Sequence, residues 1–162
     1  MPDVYLSIGS NIDREKNISS AIKELHKLFG ELRFSSVYET DAVGFEGPPF
    51  YNLTILFHSE KPVREIAKML RDIEIRHGRT HKSAKFSGRT LDLDILLYGD
   101  LVLKDDKLQI PRDDIIRYAF VLEPLAEIAP GQRHPVTHER FSELWDQFDK
   151  TGLGQKIVDA PW

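Results

Sequence analysis

The chain has 162 residues and a mass of 18.7 kDa, with 22 Lys and Arg against 26 Asp and Glu and a net charge of −4. That is the length of one domain with a core large enough to need no staples. The absence of cysteine excludes disulfides, thiolate metal sites and a cysteine nucleophile, and no apolar run approaches the ~18 residues of a membrane span. One domain over 1–162 is expected, with 150–162 as a loose tail. The N-terminus MPDVYLSIGSN has no basic leader, so a cytoplasmic protein is expected. The mild acidity argues against bulk nucleic-acid binding.

Val4, Leu6 and Ile8 alternate with Tyr5 and Ser7, which reads as a strand. Gly9-Ser10-Asn11 breaks it, and Asn11 or Asp13 can cap a helix. Ile18, Ala21, Ile22, Leu25, Leu28 and Phe29 follow the helical period up to Gly30. A short strand is expected over 32–39. Residues 41–49 hold two Gly and two Pro and read as a loop, long enough to be functional. Residues 50–57 form the next strand. Pro62 opens a second amphipathic helix, with Val63, Ile66, Ala67, Leu70 and Ile73 on one face.

Residues 77–89 are polar, basic and without period. A third strand covers 91–98, and Val102 with 108–110 suggests a hairpin stopped by Pro111. Short helices are expected over 119–128, with Pro124 inside, and over 141–148. The order strand-helix-strand, strand-helix-strand is the α+β, ferredoxin-like βαββαβ plan: an antiparallel sheet with both helices on one face. The C-terminal extension then covers the other face or leaves it for a site.

Three features carry chemistry. In Arg89-Thr90-Leu91-Asp92-Leu93-Asp94, alternation puts Leu91, Leu93, Ile95 and Leu97 on one face and Asp92 with Asp94 on the other. Two carboxylates about 6–7 Å apart on a pleat repel by roughly 2–3 kcal/mol at an effective dielectric of ~20. A cation between them relieves that, and with oxygen ligands Mg²⁺ is the natural one. A solvated acidic edge paired with arginines is the plainer alternative. Second, Arg79, Lys82, Lys85 and Arg89 place four cations in eleven residues, enough to wrap a polyphosphate. Third, Phe50 and Asn52 share a strand face opposite Tyr51, Leu53, Ile55 and Phe57. An aromatic plate beside an amide suits a flat heterocycle. No glycine-rich phosphate loop of the G-x-x-x-x-G-K-[ST] or G-x-G-x-x-G type is present.

Together these motifs are familiar. GRTLDLDILLYG, preceded by IEIRHGR, strongly resembles the hydroxymethyldihydropterin pyrophosphokinase family of folate biosynthesis. YLSIGSNI, YETDAVG with PFYNLTI, and FVLEPLAEIAP extend the similarity over roughly 4–130. The resemblance implies transfer of pyrophosphate from ATP to the hydroxymethyl group of 6-hydroxymethyl-7,8-dihydropterin, with AMP released. It implies two Mg²⁺ ions held by Asp92 and Asp94, with Asp94 nearest the attacking hydroxyl. Arg79 and Arg89 would contact the ATP phosphates as catalytic residues. Phe50 and Phe120 would sandwich the pterin, and Asn52 would bond its edge with help from Thr40, Val43 and Gly44. Glu74 and Ile95 would sit by the adenosine, and Lys85 and Phe86 would close over ATP. The expected partners are these two small molecules alone, with neither nucleic acid nor membrane, and a monomer is expected.

The chain also departs from the family. Pro111 is followed by Arg112 where a histidine is usual, and Tyr118 stands two before Phe120 where an arginine is usual, with Arg117 one residue upstream. Arg112 can replace the histidine as a donor to ATP phosphate. The departures motivate an alternative, a relative that binds ATP or pterin with little turnover. An RNA-binding ferredoxin-like module is a further one, disfavoured because the two aspartates would repel phosphates unless metal is bound.

Overall fold

The computed structural model describes residues 1–42, 46–78 and 90–162. Its main sheet begins with β1 (Asp3–Ser10), in the middle, and β4 (Phe50–His58) and β5 (Asp92–Tyr98) pair antiparallel on either side of it. β3 (Val37–Thr40) pairs with β4, and β2 (Arg33–Phe34) pairs with β4 further along. The path β5-β1-β4-β3 is the ferredoxin-like order, continued at the outer edge by β8 (Lys156–Val158). A separate hairpin joins β6 (Leu103–Lys104) to β7 (Gln109–Ile110).

The helices follow from their apolar spacing. α1 (Arg14–Phe29) buries Ile18, Ala21 and Leu25, and α2 (Val63–Arg76) buries Ile66, Leu70 and Ile73. These residues pack with Val4, Leu6, Ile8, Leu53, Ile55 and Phe57 in one core, so both helices lie on one face of the sheet. α1 ends as expected at Gly30, whose φ of 78° suits only a residue without Cβ. Its start differs: Asp13 stands at the N-cap with φ 43° and makes no side-chain capping bond. Asn17 Nδ2 instead donates to the Ile12 carbonyl at 2.7 Å.

The other face is partly covered. α3 (Asp114–Arg117), α4 (Ala119–Ile128) and α5 (Phe141–Gln147) contribute Ile115, Val121, Leu122, Leu125 and Phe141 to a second core, which closes on Tyr5, Leu56, Leu96 and Leu97. Both sides of the sheet are thus protected over half its length, which is why Tyr5 is buried despite alternating with Val4 and Leu6.

Three expectations are corrected. The strand over 32–39 is two strands, because the hydroxyls of Ser35 and Ser36, between them, bond to groups distant in sequence. Ser35 Oγ accepts the Thr54 N–H at 2.8 Å, and Ser36 Oγ donates to Glu127 at 2.9 Å. Strict alternation fails in β5. Tyr5 pairs with Leu97 and Leu6 with Ile95, so Leu96 is an extra residue, a β-bulge, and Leu97 faces the second core instead of the first. The tail is not loose throughout: 156–158 form β8, paired with Val37, Tyr38 and Glu39, because an edge strand offers unpaired backbone groups. No helix among the described residues is long and apolar enough to cross a membrane.

Candidate active site

The uncovered half of the second face is laid out in rungs by the register of three strands. Nearest the second core stands Leu56–Tyr5–Leu97, then Thr54–Ser7–Asp94, then Asn52–Gly9–Asp92. Polarity rises step by step from the covered end to the open end. Asp92 and Asp94 are half-buried on this face, as alternation predicts, while Leu93 and Ile95 are buried in the opposite core.

Gly9 is the floor between amide and acid. A Cβ there would meet Asn52 Oδ1 at 2.6 Å and the Phe50 ring at 3.8 Å. Asn52 cannot easily swing away, since its Nδ2 donates to Thr40 Oγ1 at 2.7 Å and the residue is 5% exposed. That bond fixes the amide with Oδ1 over Gly9, leaving an acceptor for a ring N–H. Thr54, one rung in, is buried, and its Oγ1 finds no hydrogen-bond partner among the described residues. A lone buried hydroxyl costs about 1–3 kcal/mol. Thr54→Val, nearly isosteric, is therefore expected to raise stability by about 1 kcal/mol, read as a higher urea midpoint at unchanged m-value.

The residues after Gly9 tie the rungs to their loops. Ser10 Oγ donates to the Thr90 carbonyl at 2.6 Å, just before the acidic strand. Asn11 Nδ2 donates to the Pro48 carbonyl at 3.1 Å, just before Phe50. Arg14 bonds the Pro49 carbonyl at 3.0 Å and the Glu39 carboxylate at 2.9 Å, and its guanidinium lies 3.6 Å from the centre of the Tyr51 ring. Sequence reasoning passed over Arg14, assigned Asn11 to the strand break and to capping, and read Gly9 as the start of that break, whereas β1 runs on through Gly9 to Ser10. The one signal was the compact Gly-Ser-Asn run between a strand and a helix.

Arg112 supplies a charge at the acid pair. Its Nη2 lies 3.8 Å from Asp94 and its Nε donates to Asp114 at 3.0 Å. Burial works against that charge, but Asp94, then Asp114, with Asp92 further off, outweigh it and raise the pKa above the ordinary arginine value. The backbone cooperates: the Arg112 N–H donates to the carbonyl of Leu96, the bulged residue. Tyr118, extended at φ −122° between α3 and α4, stacks on Phe120 with ring centres 5.0 Å apart. Arg117 is exposed at the end of α3.

The two residues expected by an adenosine, Glu74 and Ile95, lie on the helix side of the sheet. Glu74, on α2, is 5% exposed and accepts the Leu93 N–H at 2.8 Å, and Ile95 is buried in the core beneath the helices. Glu74 thus sits at the outer edge of β5 and Ile95 beneath it in the core, neither on the face with Asp92 and Asp94. Val43, Gly44, Arg79, Lys85, Phe86 and Arg89 lie outside the described residues.

Asp92 and Asp94 offer only hard oxygen donors, and among the described residues no third His, Cys, Asp or Glu completes a cage with them. Such a pair fits a divalent cation whose remaining positions go to phosphate oxygens and water. Fold and face thus define a ferredoxin-like protein with an acidic pair beside an amide-and-aromatic slot.

A model of the 7,8-dihydro-6-hydroxymethylpterin-pyrophosphokinase (HPPK) family matches residues 5–130. The 2-amino-4-hydroxy-6-hydroxymethyldihydropteridine pyrophosphokinase of Bacillus subtilis is 36% identical over 161 residues, covering 94% of this chain and 95% of that protein. Its counterpart from Aquifex aeolicus is 33% identical, covering 89% and 91%. The folic acid synthesis protein fol1 of Schizosaccharomyces pombe is 34% identical over 92% of this chain, which spans only 21% of that longer protein. Among solved structures, wild-type HPPK-DHPS of Plasmodium falciparum with SDX-DHP shares the fold with a TM-score of 0.70 at 15% identity. The match covers 91% of this chain and 43% of that one. The chain belongs to the 7,8-dihydro-6-hydroxymethylpterin-pyrophosphokinase family. It is accordingly a pyrophosphokinase of folate synthesis, acting on hydroxymethyldihydropterin.

Proposed function

We propose that this chain transfers the terminal pyrophosphoryl group of ATP to the hydroxymethyl oxygen of 6-hydroxymethyl-7,8-dihydropterin on the face that carries Asp92 and Asp94. The observation that supports this most is the rung Asn52–Gly9–Asp92, which sets a heterocycle-binding amide across a bare glycine from a cation-binding carboxylate. The hydroxymethyl oxygen attacks the β-phosphorus, the bond from that phosphorus to the α,β-bridging oxygen breaks, and AMP leaves. The hydroxyl proton passes to Asp94 or to water.

Phosphoryl chemistry of this kind asks for positioning and charge neutralisation more than for covalent help. Asn52 Oδ1 takes a ring N–H, and Phe50 and Phe120 stack on the two ring faces. Asp92 and Asp94 fit two Mg²⁺ ions, which, when bound, neutralise phosphate charge and lower the pKa of an oxygen they touch. Arg79, Arg89 and Arg112 donate to phosphate oxygens, Lys85 and Phe86 cover the nucleotide, and Glu74 and Ile95 back the adenosine from the edge of β5. Val43 and Gly44 add backbone bonds to the pterin. All these groups come from one chain, so a monomer suffices, and the use of cellular ATP favours the cytoplasm.

The test is AMP release with ATP, Mg²⁺ and the dihydropterin, followed by chromatography with and without EDTA. AMP that requires both the pterin and the metal is the expected result. AMP made equally well without pterin would overturn the reading. Pterin binding with no AMP would favour the non-catalytic relative that the departures at Arg112 and Tyr118 suggest.

A further inference from the structure

We infer that residues 154–162 form a strap that sets the spacing of the two aromatic walls of the pterin slot. The inference rests on the reading that Phe50 and Phe120 are those walls. At one end Gln155 Nε2 donates to the Ala119 carbonyl at 3.1 Å and to Glu123 at 2.7 Å. Ala119 is the residue before Phe120. At the other end the Trp162 ring meets Tyr51 edge-on, with centres 6.1 Å apart. Tyr51 is the residue after Phe50. Between them β8 pairs with β3, which itself pairs with β4 through Thr40–Phe50 and Tyr38–Asn52.

Two more contacts hold the strap close. Gly154 passes so near Asp41 that a Cβ would lie 2.7 Å from its carboxylate. Lys156 Nζ lies 3.8 Å from Glu39, the same carboxylate that binds Arg14. Pro161 and Trp162 also face Pro48 and Pro49 across an open cleft of about 770 Å³. Nine residues therefore span from α4 to the start of β4 and touch the neighbour of each wall.

A ring stacked on both faces needs walls about 7 Å apart, twice a ~3.5 Å contact. A displacement of 1 Å can cost on the order of 10²-fold in a positioned reaction. The strap itself is mostly exposed, and only Val158 packs against a core, so substitutions at its two ends, Gln155 and Trp162, add little to the cost of folding. It is a positioning element: its loss changes pterin binding far more than folding or nucleotide binding.

The experiment uses the full chain with Gln155→Ala and Trp162→Ala combined. Dihydropterin binding is measured by fluorescence with saturating non-hydrolysable ATP analogue and Mg²⁺. Analogue binding and the melting temperature are measured alongside. The expected result is a pterin Kd raised about tenfold, with analogue Kd within twofold and melting nearly unchanged. Trp162→Phe, which keeps a ring against Tyr51, stays near the unsubstituted chain. Equal pterin affinity in the double variant overturns the strap alone. Parallel weakening of both ligands with a lowered melting temperature also overturns it, as a general structural role. Absence of pterin binding by the unsubstituted chain overturns the functional reading, and the strap with it.

Discussion

Asp92→Ala and Asp94→Ala are each expected to reduce AMP formation by about 10³-fold or more, roughly 4 kcal/mol of transition-state stabilisation. The two carboxylates are the only acidic side chains in the rungs of the open sheet face. Losing either leaves triphosphate charge without its fixed counterpart, and no other described group is placed to substitute. Folding should not suffer. Both residues are half-buried on the open face and belong to neither core. Asp92→Asn is the sharper control, because it keeps the shape of the side chain and removes only its charge, while Arg112 keeps Asp94 and Asp114 as partners. Its melting temperature should stay within a few degrees of that of the unsubstituted chain while AMP formation collapses. Near-normal AMP formation in Asp92→Asn and Asp94→Asn alike would remove the acid pair from the mechanism.

Gly9→Ala is expected to weaken dihydropterin binding by about 10- to 100-fold, the range for losing one or two positioned contacts. The new Cβ would stand 2.6 Å from Asn52 Oδ1, far inside contact distance. Asn52 can yield only by giving up its 2.7 Å bond to Thr40 or by turning its acceptor away from the slot. Binding of an ATP analogue with Mg²⁺ should hold. A double-mutant cycle with Asn52→Ala provides the check, since once the amide is gone the extra methyl has little left to displace. Fully additive losses would show that Gly9 acts through something other than Asn52.

Much of this was legible because two periodicities carried it. Alternation in 50–57 and 91–97 assigned faces to Phe50, Asn52, Asp92 and Asp94, and helical spacing assigned Ile18 to Leu25 and Ile66 to Ile73 to one core. What stayed illegible depends on contacts distant in sequence. Ser36 bonds Glu127 across 91 positions, and nothing local marks it as the break between two strands. Arg14 reads as a first-turn helix residue until the fold sets Tyr51 beneath it. The edge strand at 156–158 carries a weak local pattern and acquires order from the exposed rim of β3. Leu97 was misassigned because an inserted residue reverses the parity of a strand without altering its composition.

That extra residue ties the shape of the strand to the chemistry on its face. Every pairing of β5 with β1 on either side of Leu96 would close up unchanged if the leucine were deleted, so the sheet itself records no need for it. Its carbonyl, however, anchors the backbone of Arg112, whose guanidinium faces Asp94. A length change in the middle of an apolar strand is thus coupled to the ionic setting of the chemistry on its outer face. Removing Leu96 should therefore shift the backbone that carries Arg112 and loosen the hold of its guanidinium on Asp94, although the strand pairing itself would survive.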